Sequence, residues 1–405
     1  MKRIRPLIQA LALLCTAVSP SHAAERGYSF DGAALGAPFY FSVDLPEGNY
    51  KVSITFGGTA TASDTTIKAE LRRLMLEGVR TAPGVSTVRS FVVNVRTPRI
   101  PAGPGWKAGA VQLKAPRETT EEAWAWDGRL SLEINGPQPA VQRIEIEPVS
   151  VPTLFLLGDS TVADQSQEPY SSWGQMLPRF FKPGVAVANH AESGETLRDS
   201  IARRRLDKVL SALRPGDTVL MQFGHNDQKQ IRQGSGDTSS YRAELKTHVD
   251  AIRAAGGVPV IVSPMERRGF DEAGTVKPSL LAYADAARQT ADDLKVPFID
   301  LNAMSQRFYE ALGPERSALA FASPAPGKID NTHHNNYGSY QLAKAVVLGL
   351  QRAGLAVAAQ VVDDFGSFDP SRPDDPAAFK LAASPALAHQ RPLGDDDSPP
   401  SPTSK

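Results

Sequence analysis

The chain has 405 residues, 22% of them charged, and its 44 basic residues balance 44 acidic ones for a formal net charge of zero. That balance lacks the basic stripe of a nucleic-acid binder, and the length exceeds one typical domain. The single cysteine, Cys15, sits in an apolar run near the start. Beyond that run, disulfides, metal–thiolate sites and a cysteine nucleophile are excluded.

Residues 1–23 read as a signal peptide. Lys2, Arg3 and Arg5 form a basic head, residues 7–18 are apolar, and Ser21-His22-Ala23 makes a small-x-small cleavage site before Ala24. The run is too short for a permanent anchor. Leu14, before Cys15, is too large for a lipidation signal. Removing Lys2, Arg3 and Arg5 leaves 41 basic residues against 44 acidic ones, a net of −3. The expectation is an exported protein, periplasmic or secreted, with no membrane insertion in its mature form.

Residues 24–150 carry short alternating stretches between Gly- and Pro-rich turns. Strands are predicted at 39–45, 50–56, 90–95, 128–134 and 141–146, which argues for an all-β sandwich. Residues 65–79 stand apart, with some helical character but a β-plausible start. Trp124 and Trp126 alternate, which would place them on one side of a strand, as sandwich core or as a carbohydrate-stacking surface.

From 151 to 358 the rhythm becomes strand then helix. Apolar runs at 153–157, 185–189, 218–223, 258–263 and 297–301 have the length and composition of strands buried on both faces. Helical stretches fall at 198–213, 241–255, 280–295 and 337–353. This alternation predicts an α/β domain, a parallel sheet covered by helices on both faces, and five strands suit a flavodoxin-like order. Beyond 358, Pro370, Pro373, Pro376, Pro385 and Pro392 interrupt any regular element, so 359–405 reads as a linker-like Pro/Asp-rich tail with a disordered final dozen residues.

Four short segments carry chemistry. Gly158-Asp159-Ser160-Thr161 follows the first strand of the α/β unit, where ligands of open α/β sheets sit. Ser160 reads either as a nucleophile or as a capping serine in a turn. Asn189-His190-Ala191-Glu192-Ser193-Gly194 and Gly224-His225-Asn226-Asp227 come at the ends of the second and third strands. A backbone N–H at Gly194, the Asn226 amide and the Ser160 N–H would suit an oxyanion, although alone they read as a loop glycine and a turn asparagine. Asp330-Asn331-Thr332-His333-His334 precedes the last helix. Either histidine can serve as base, and Asp330 can fix its tautomer. No His-Glu-x-x-His stretch or third ligand supports a metal. The absence of Gly-x-Ser-x-Gly argues against an α/β-hydrolase. His225 reads as a supporting or simply buried residue, and Trp173 as core packing rather than a sugar platform.

Together these segments resemble the SGNH (GDSL-type) hydrolases over roughly 152–355. The resemblance implies a flavodoxin-like three-layer domain at 151–358. The β-sandwich at 24–150 that precedes it reads either as a galactose-binding-like accessory domain or as a rigid shoulder shaping the active-site cleft. The resemblance also implies catalysis by Ser160, His333 and Asp330, an oxyanion hole of Ser160, Gly194 and Asn226, and no cofactor or metal. It selects His333 over His334. Gly158-Asp159-Ser160-Thr161-Val162-Ala163, Asn189-x-Ala191-x-x-Gly194 and Asp330-x-Thr332-His333 resemble the rhamnogalacturonan acetylesterases of carbohydrate esterase family twelve. Glu195-Thr196 departs from that branch, where Arg-Ser is expected. The implied substrate is an acetylated plant polysaccharide, with acetylxylan, a lipid or a thioester as alternatives, and a non-catalytic polysaccharide-binding protein as the rival of another class.

Overall fold

Alternation of buried and solvent-facing residues builds the first third of the chain. The computed structural model describes residues 26–29 and 38–385; residues 1–23, predicted as a signal peptide, and the final dozen residues lie outside them. The strands are β1 (Arg26–Ser29), β2 (Phe39–Asp44), β3 (Gly48–Gly57), β4 (Ser63–Ala69), β5 (Arg73–Thr81), β6 (Ser86–Val95), the short pair β7 (Arg99–Ile100) and β8 (Gly109–Ala110), β9 (Arg129–Gln138) and β10 (Val141–Pro148). Strands β2, β9, β4 and β5 form one antiparallel sheet, while β1, β10, β3 and β6 lie in another. Tyr50, Val52, Ile54 and Phe56 of β3 share a core with Ile67, Leu130, Leu132 and Ile134 from the other sheet.

Two local expectations fail here. Residues 65–79 are not helical: β4 and β5 pair as a hairpin whose reversal uses left-handed backbone at Glu70 and Arg72, with φ of 54° and 59°. The β4–β5 ladder is irregular between Thr65 and Lys68, and Lys68 and Arg73 are buried in ion pairs. Buried charges and slipped register together erase the period-2 signal. Trp124 and Trp126 do not share a strand face either. They flank Ala125 in a single 3₁₀ turn, where Trp126 is buried and Trp124 is exposed.

The second unit runs β11 (Thr153–Gly158), α1 (Trp173–Met176), β12 (Ala186–Asn189), α2 (Leu197–Ala202), α3 (Arg205–Ala212), β13 (Thr218–Gln222), α4 (Thr238–Ala254), β14 (Val258–Val262), α5 (Leu281–Leu294), β15 (Phe298–Ile299), α6 (Leu301–Arg316) and α7 (Asn336–Arg352). Its strands are parallel in the order β12-β11-β13-β14-β15, the flavodoxin arrangement. Along β11, Leu154 and Leu156 pack with α6 and α7, and Phe155 and Leu157 face the layer of α3, α4 and α5. The stretch 198–213 is two helices, because Arg204 between them takes φ 64°. Helix α6 escaped the sequence reading, although Asp300 caps it at Ala303 N and Leu301, Met304 and Phe308 repeat at helical spacing.

The two units share a sheet. Strand β6 lies parallel beside β12 through Val93 and Val187, so β1, β10, β3 and β6 extend the parallel strands into one mixed, nine-stranded sheet. The tail is not linker-like over its described part. Phe365 and Phe368 enter the core under α7, Tyr337 and Gln341 bond Asp374, and Ser384 sits among Lys68, Arg72 and Glu133. A strap anchored by a few contacts needs no periodicity, so composition alone could not distinguish it from a linker. Among the described residues, no helix is long and apolar enough to cross a membrane.

Candidate active site

The carboxyl ends of β11, β12 and β13 bring the first three segments together. At the end of β11, a Cβ on Gly158 would lie 2.7 Å from Gln222 O and 2.5 Å from Val162 Cγ2, so only glycine fits. Asp159 then accepts from Thr161 N (2.9 Å) and Thr161 Oγ1 (2.7 Å), closing the tight turn that presents Ser160. Burial opposes charge on Asp159, but the His225 ring and the Thr161 bonds outweigh it and lower its pKa. His225 Nδ1 lies 3.2 Å from Asp159 Oδ2, which ties the β13 loop to the β11 loop.

Ser160 Oγ lies 2.9 Å from His333 Nε2, and His333 Nδ1 lies 2.9 Å from Asp330 Oδ2. Oδ1 of Asp330 accepts from Thr332 N and His333 N, each at 2.9 Å. The carboxylate therefore sets both the backbone turn and the ring. Tyr170 packs edge-on against the His333 ring, with centroids 5.8 Å apart. Ser160 and His333 are each 1% exposed, so the pair lies at the floor of the site. A histidine held this way can take the serine proton. His334 faces elsewhere: its Nε2 is 2.9 Å from Tyr309 Oη and its ring stacks between Tyr309 and Phe321. Burial, with the neighbouring His333, pushes it down to about 3, a structural neutral imidazole.

The candidate oxyanion donors sit on the loops that follow β11, β12 and β13. Among the described residues, neither Ser160 N nor Gly194 N donates to a protein group. Gly194 takes φ 71°, a left-handed conformation that favours glycine. Asn226 Nδ2 donates to Glu195 O at 3.2 Å, which docks the amide on the Gly194 loop and leaves its second hydrogen available.

Further buried residues hold these loops in place. Asp227 accepts from Leu197 N (3.1 Å) and Gly224 N (2.9 Å), joining the β12 and β13 loops, and burial pushes its pKa up to about 7. Gln165 Nε2 donates to Ser160 O at 2.9 Å and lies 3.3 Å from Ser193 Oγ. Arg267 reaches Thr332 Oγ1 and His225 O, each at 3.3 Å. Trp173 is core, its Nε1 donating to Gln222 at 2.7 Å.

Behind Gly194 lies a buried ionic cluster. Arg205 meets Glu118 at 2.6 Å, Glu195 at 3.4 Å and Glu192 at 3.7 Å; Lys114 meets Glu195 at 2.7 Å, and Arg117 pairs with Glu192. Glu195 thus occupies the position where arginine was expected, and its cations arrive from α3 and from residues 111–126. Trp126 closes the cluster, donating to Glu118 at 3.1 Å beneath the Arg96 and Arg205 guanidinium groups.

Residues 156–338 match the GDSL-like lipase/acylhydrolase family. The rhamnogalacturonan acetylesterase RhgT of Bacillus subtilis is 37% identical over 230 residues, covering 54% of this chain and 97% of that protein. The chain belongs to the GDSL family. Another relative, the uncharacterized esterase YxiM of B. subtilis, is 26% identical over 330 residues, covering 78% of this chain and 75% of its own. That coverage exceeds what residues 151–405 contain, so the likeness reaches into the first unit. The rhamnogalacturonan acetylesterase of Emericella nidulans is 25% identical over 228 residues, 51% of this chain and 87% of that one. The solved structure of YxiM aligns with a TM-score of 0.49 and 23% identity, covering 82% of this chain and 89% of that one. As a GDSL protein with named acetylesterases among its relatives, the chain is a carboxylic ester hydrolase.

Proposed function

We propose that this GDSL protein is an exported carbohydrate O-acetylesterase acting on acetylated rhamnogalacturonan through an acetyl-enzyme. The observation that carries the reading is the continuous Ser160–His333–Asp330 hydrogen-bonded chain, with 2.9 Å at each step. Ser160 Oγ attacks the acetyl carbonyl carbon while His333 Nε2 takes its proton. The oxyanion sits on Ser160 N–H, Gly194 N–H and the Asn226 amide. Collapse breaks the sugar ester bond, and His333 returns its proton to the departing sugar oxygen. Water then attacks the acetyl-enzyme with His333 again as base, releasing acetate and restoring the serine hydroxyl.

Export rests on residues 1–23, and the substrate class on the relatives' names. Ser160→Ala should lower kcat by roughly 10⁴-fold or more, since losing a triad nucleophile in a comparable system costs about 10⁶. Acetate release from p-nitrophenyl acetate measures it, and unchanged turnover would refute the assignment. A panel of acetylated rhamnogalacturonan, pectin, xylan and mannan then ranks substrates; preference for xylan would overturn the polysaccharide assignment while leaving the esterase.

Residues 24–150 act in this reading as a β-sandwich accessory unit beside the cleft. Trp124 (42% exposed) and Tyr40 (46% exposed) form a solvent-facing edge-to-face pair with centroids 5.5 Å apart, a surface suited to stacking on sugar rings. Trp124→Ala should raise KM for the polymer about three- to tenfold and leave p-nitrophenyl acetate kinetics unchanged. Equal KM on the polymer would remove this role.

A further inference from the structure

The Lys114 side chain comes from outside the matched hydrolase region and ends directly behind the oxyanion loop. Its Nζ donates to Ser193 O at 2.7 Å and pairs with Glu195 Oε2 at 2.7 Å, so it grips both residues that flank Gly194. Arg117 Nη2 stands 3.5 Å from the same carbonyl. The segment bearing both cations is itself fixed: Gln112 N donates to Arg203 O at 3.0 Å, and Glu118 holds Lys114 N (2.7 Å) and Arg205 (2.6 Å).

The Ser193 carbonyl and the Gly194 N–H belong to one peptide group. In a trans peptide these two bonds point in opposite directions, so a group that fixes the carbonyl fixes the direction of the N–H. A cation on the oxygen also draws electron density from the peptide nitrogen and makes its hydrogen a stronger donor. Gly194, at φ 71°, has no side chain to restrain its backbone, and the preceding carbonyl is held by Lys114 with Arg117 beside it.

We propose that Lys114, supplied by the first unit, is a positioning residue for the oxyanion site: its ammonium holds the Ser193–Gly194 peptide so that the Gly194 N–H faces the reacting carbonyl. This rests on the acyl-transfer reading above. The first unit thereby takes part in turnover of even the smallest ester, apart from any contact with a polymer. Glu195 has a defined part in the same device. Its carboxylate compensates the Lys114 and Arg205 charges in the buried cluster and keeps the ammonium within reach of the carbonyl.

The test uses the full chain and p-nitrophenyl acetate. Lys114→Met removes the grip, and Lys114→Met with Glu195→Gln removes it without leaving a buried carboxylate stranded. Outright loss of an oxyanion donor costs roughly 10²–10³ in kcat. Misaiming one should cost roughly 10- to 100-fold in kcat, with KM changed less than threefold, in both variants. Lys114→Arg, which retains a cationic donor, should recover most of that loss. Thermal unfolding of the double variant within a few degrees of the parent establishes that the loss is not one of folding. A folded double variant with kcat within threefold of the parent overturns the proposal, as does a loss confined to KM. Ser160→Ala and Asn226→Ala run alongside. If they lose activity while the Lys114 variants keep it, only the positioning role fails; if they keep activity, the acyl-transfer reading itself fails.

Discussion

Replacing Asp330 by asparagine separates the two tasks its carboxylate performs. Oδ1 takes two backbone N–H groups, from Thr332 and His333, and asparagine keeps that oxygen. Oδ2 faces His333 Nδ1 at 2.9 Å, and asparagine puts an NH₂ there. Two donors cannot face each other, so the ring adopts the tautomer with its hydrogen on Nε2. That nitrogen then donates to Ser160 Oγ, 2.9 Å away, and can no longer accept the serine proton. The same exchange in a serine-protease triad costs about 10⁴ in kcat, or about 5 kcal/mol of barrier. We expect a loss of this order for Asp330→Asn, with thermal stability close to the parent. Asp330→Ala leaves both buried backbone donors unpaired, at about 1–3 kcal/mol each, and should lose stability as well as activity. Steady-state acetate release and thermal unfolding measure the two effects. An Asp330→Asn enzyme with kcat within tenfold of the parent would refute the tautomer argument.

Two further predictions concern the buried charges. Arg205→Met takes the ion-pair partner from buried Glu118, while Glu192 and Glu195 keep Arg117 and Lys114, and breaking a buried ion pair in this way costs about 3–5 kcal/mol, read by denaturant unfolding at neutral pH; an unchanged midpoint would show the Arg205–Glu118 pair to be energetically idle. Burial pushes His248 down to about 4, whereas the unfolded imidazole titrates near 6.5. The unfolded chain therefore binds the extra proton, and this contribution, full above pH 6.5, is lost as pH falls toward 4. Between pH 7 and 4.5 the parent should lose about 2–3 kcal/mol more than His248→Gln, and identical pH dependence would contradict the neutral buried imidazole.

Periodicity and local motif chemistry make much of this protein legible in its sequence. Strands β11 to β14 are apolar runs bounded by turn residues; three of the four segments lie where such runs end, and the fourth lies just before α7. Ser160, Gly194, Asn226 and Asp330 could be named because each combines a residue type with a position after a strand or before a helix. Where burial and periodicity part company, sequence reading fails: Lys68 and Arg73 mask the β4–β5 hairpin, and Phe365, Phe368 and Asp374 anchor a tail that composition assigns to a linker.

The order of short apolar strands and amphipathic helices, and the chemistry of residues such as Asp330 and His333, three apart, are local properties, and the sequence alone determines them. The pairing of β6 with β12, the single sheet through both units and the approach of Lys114 to Ser193 O join residues some eighty to ninety positions apart. No local pattern encodes these contacts. They follow from which surfaces remain to be buried once each element has formed, and that is settled only when the whole chain packs.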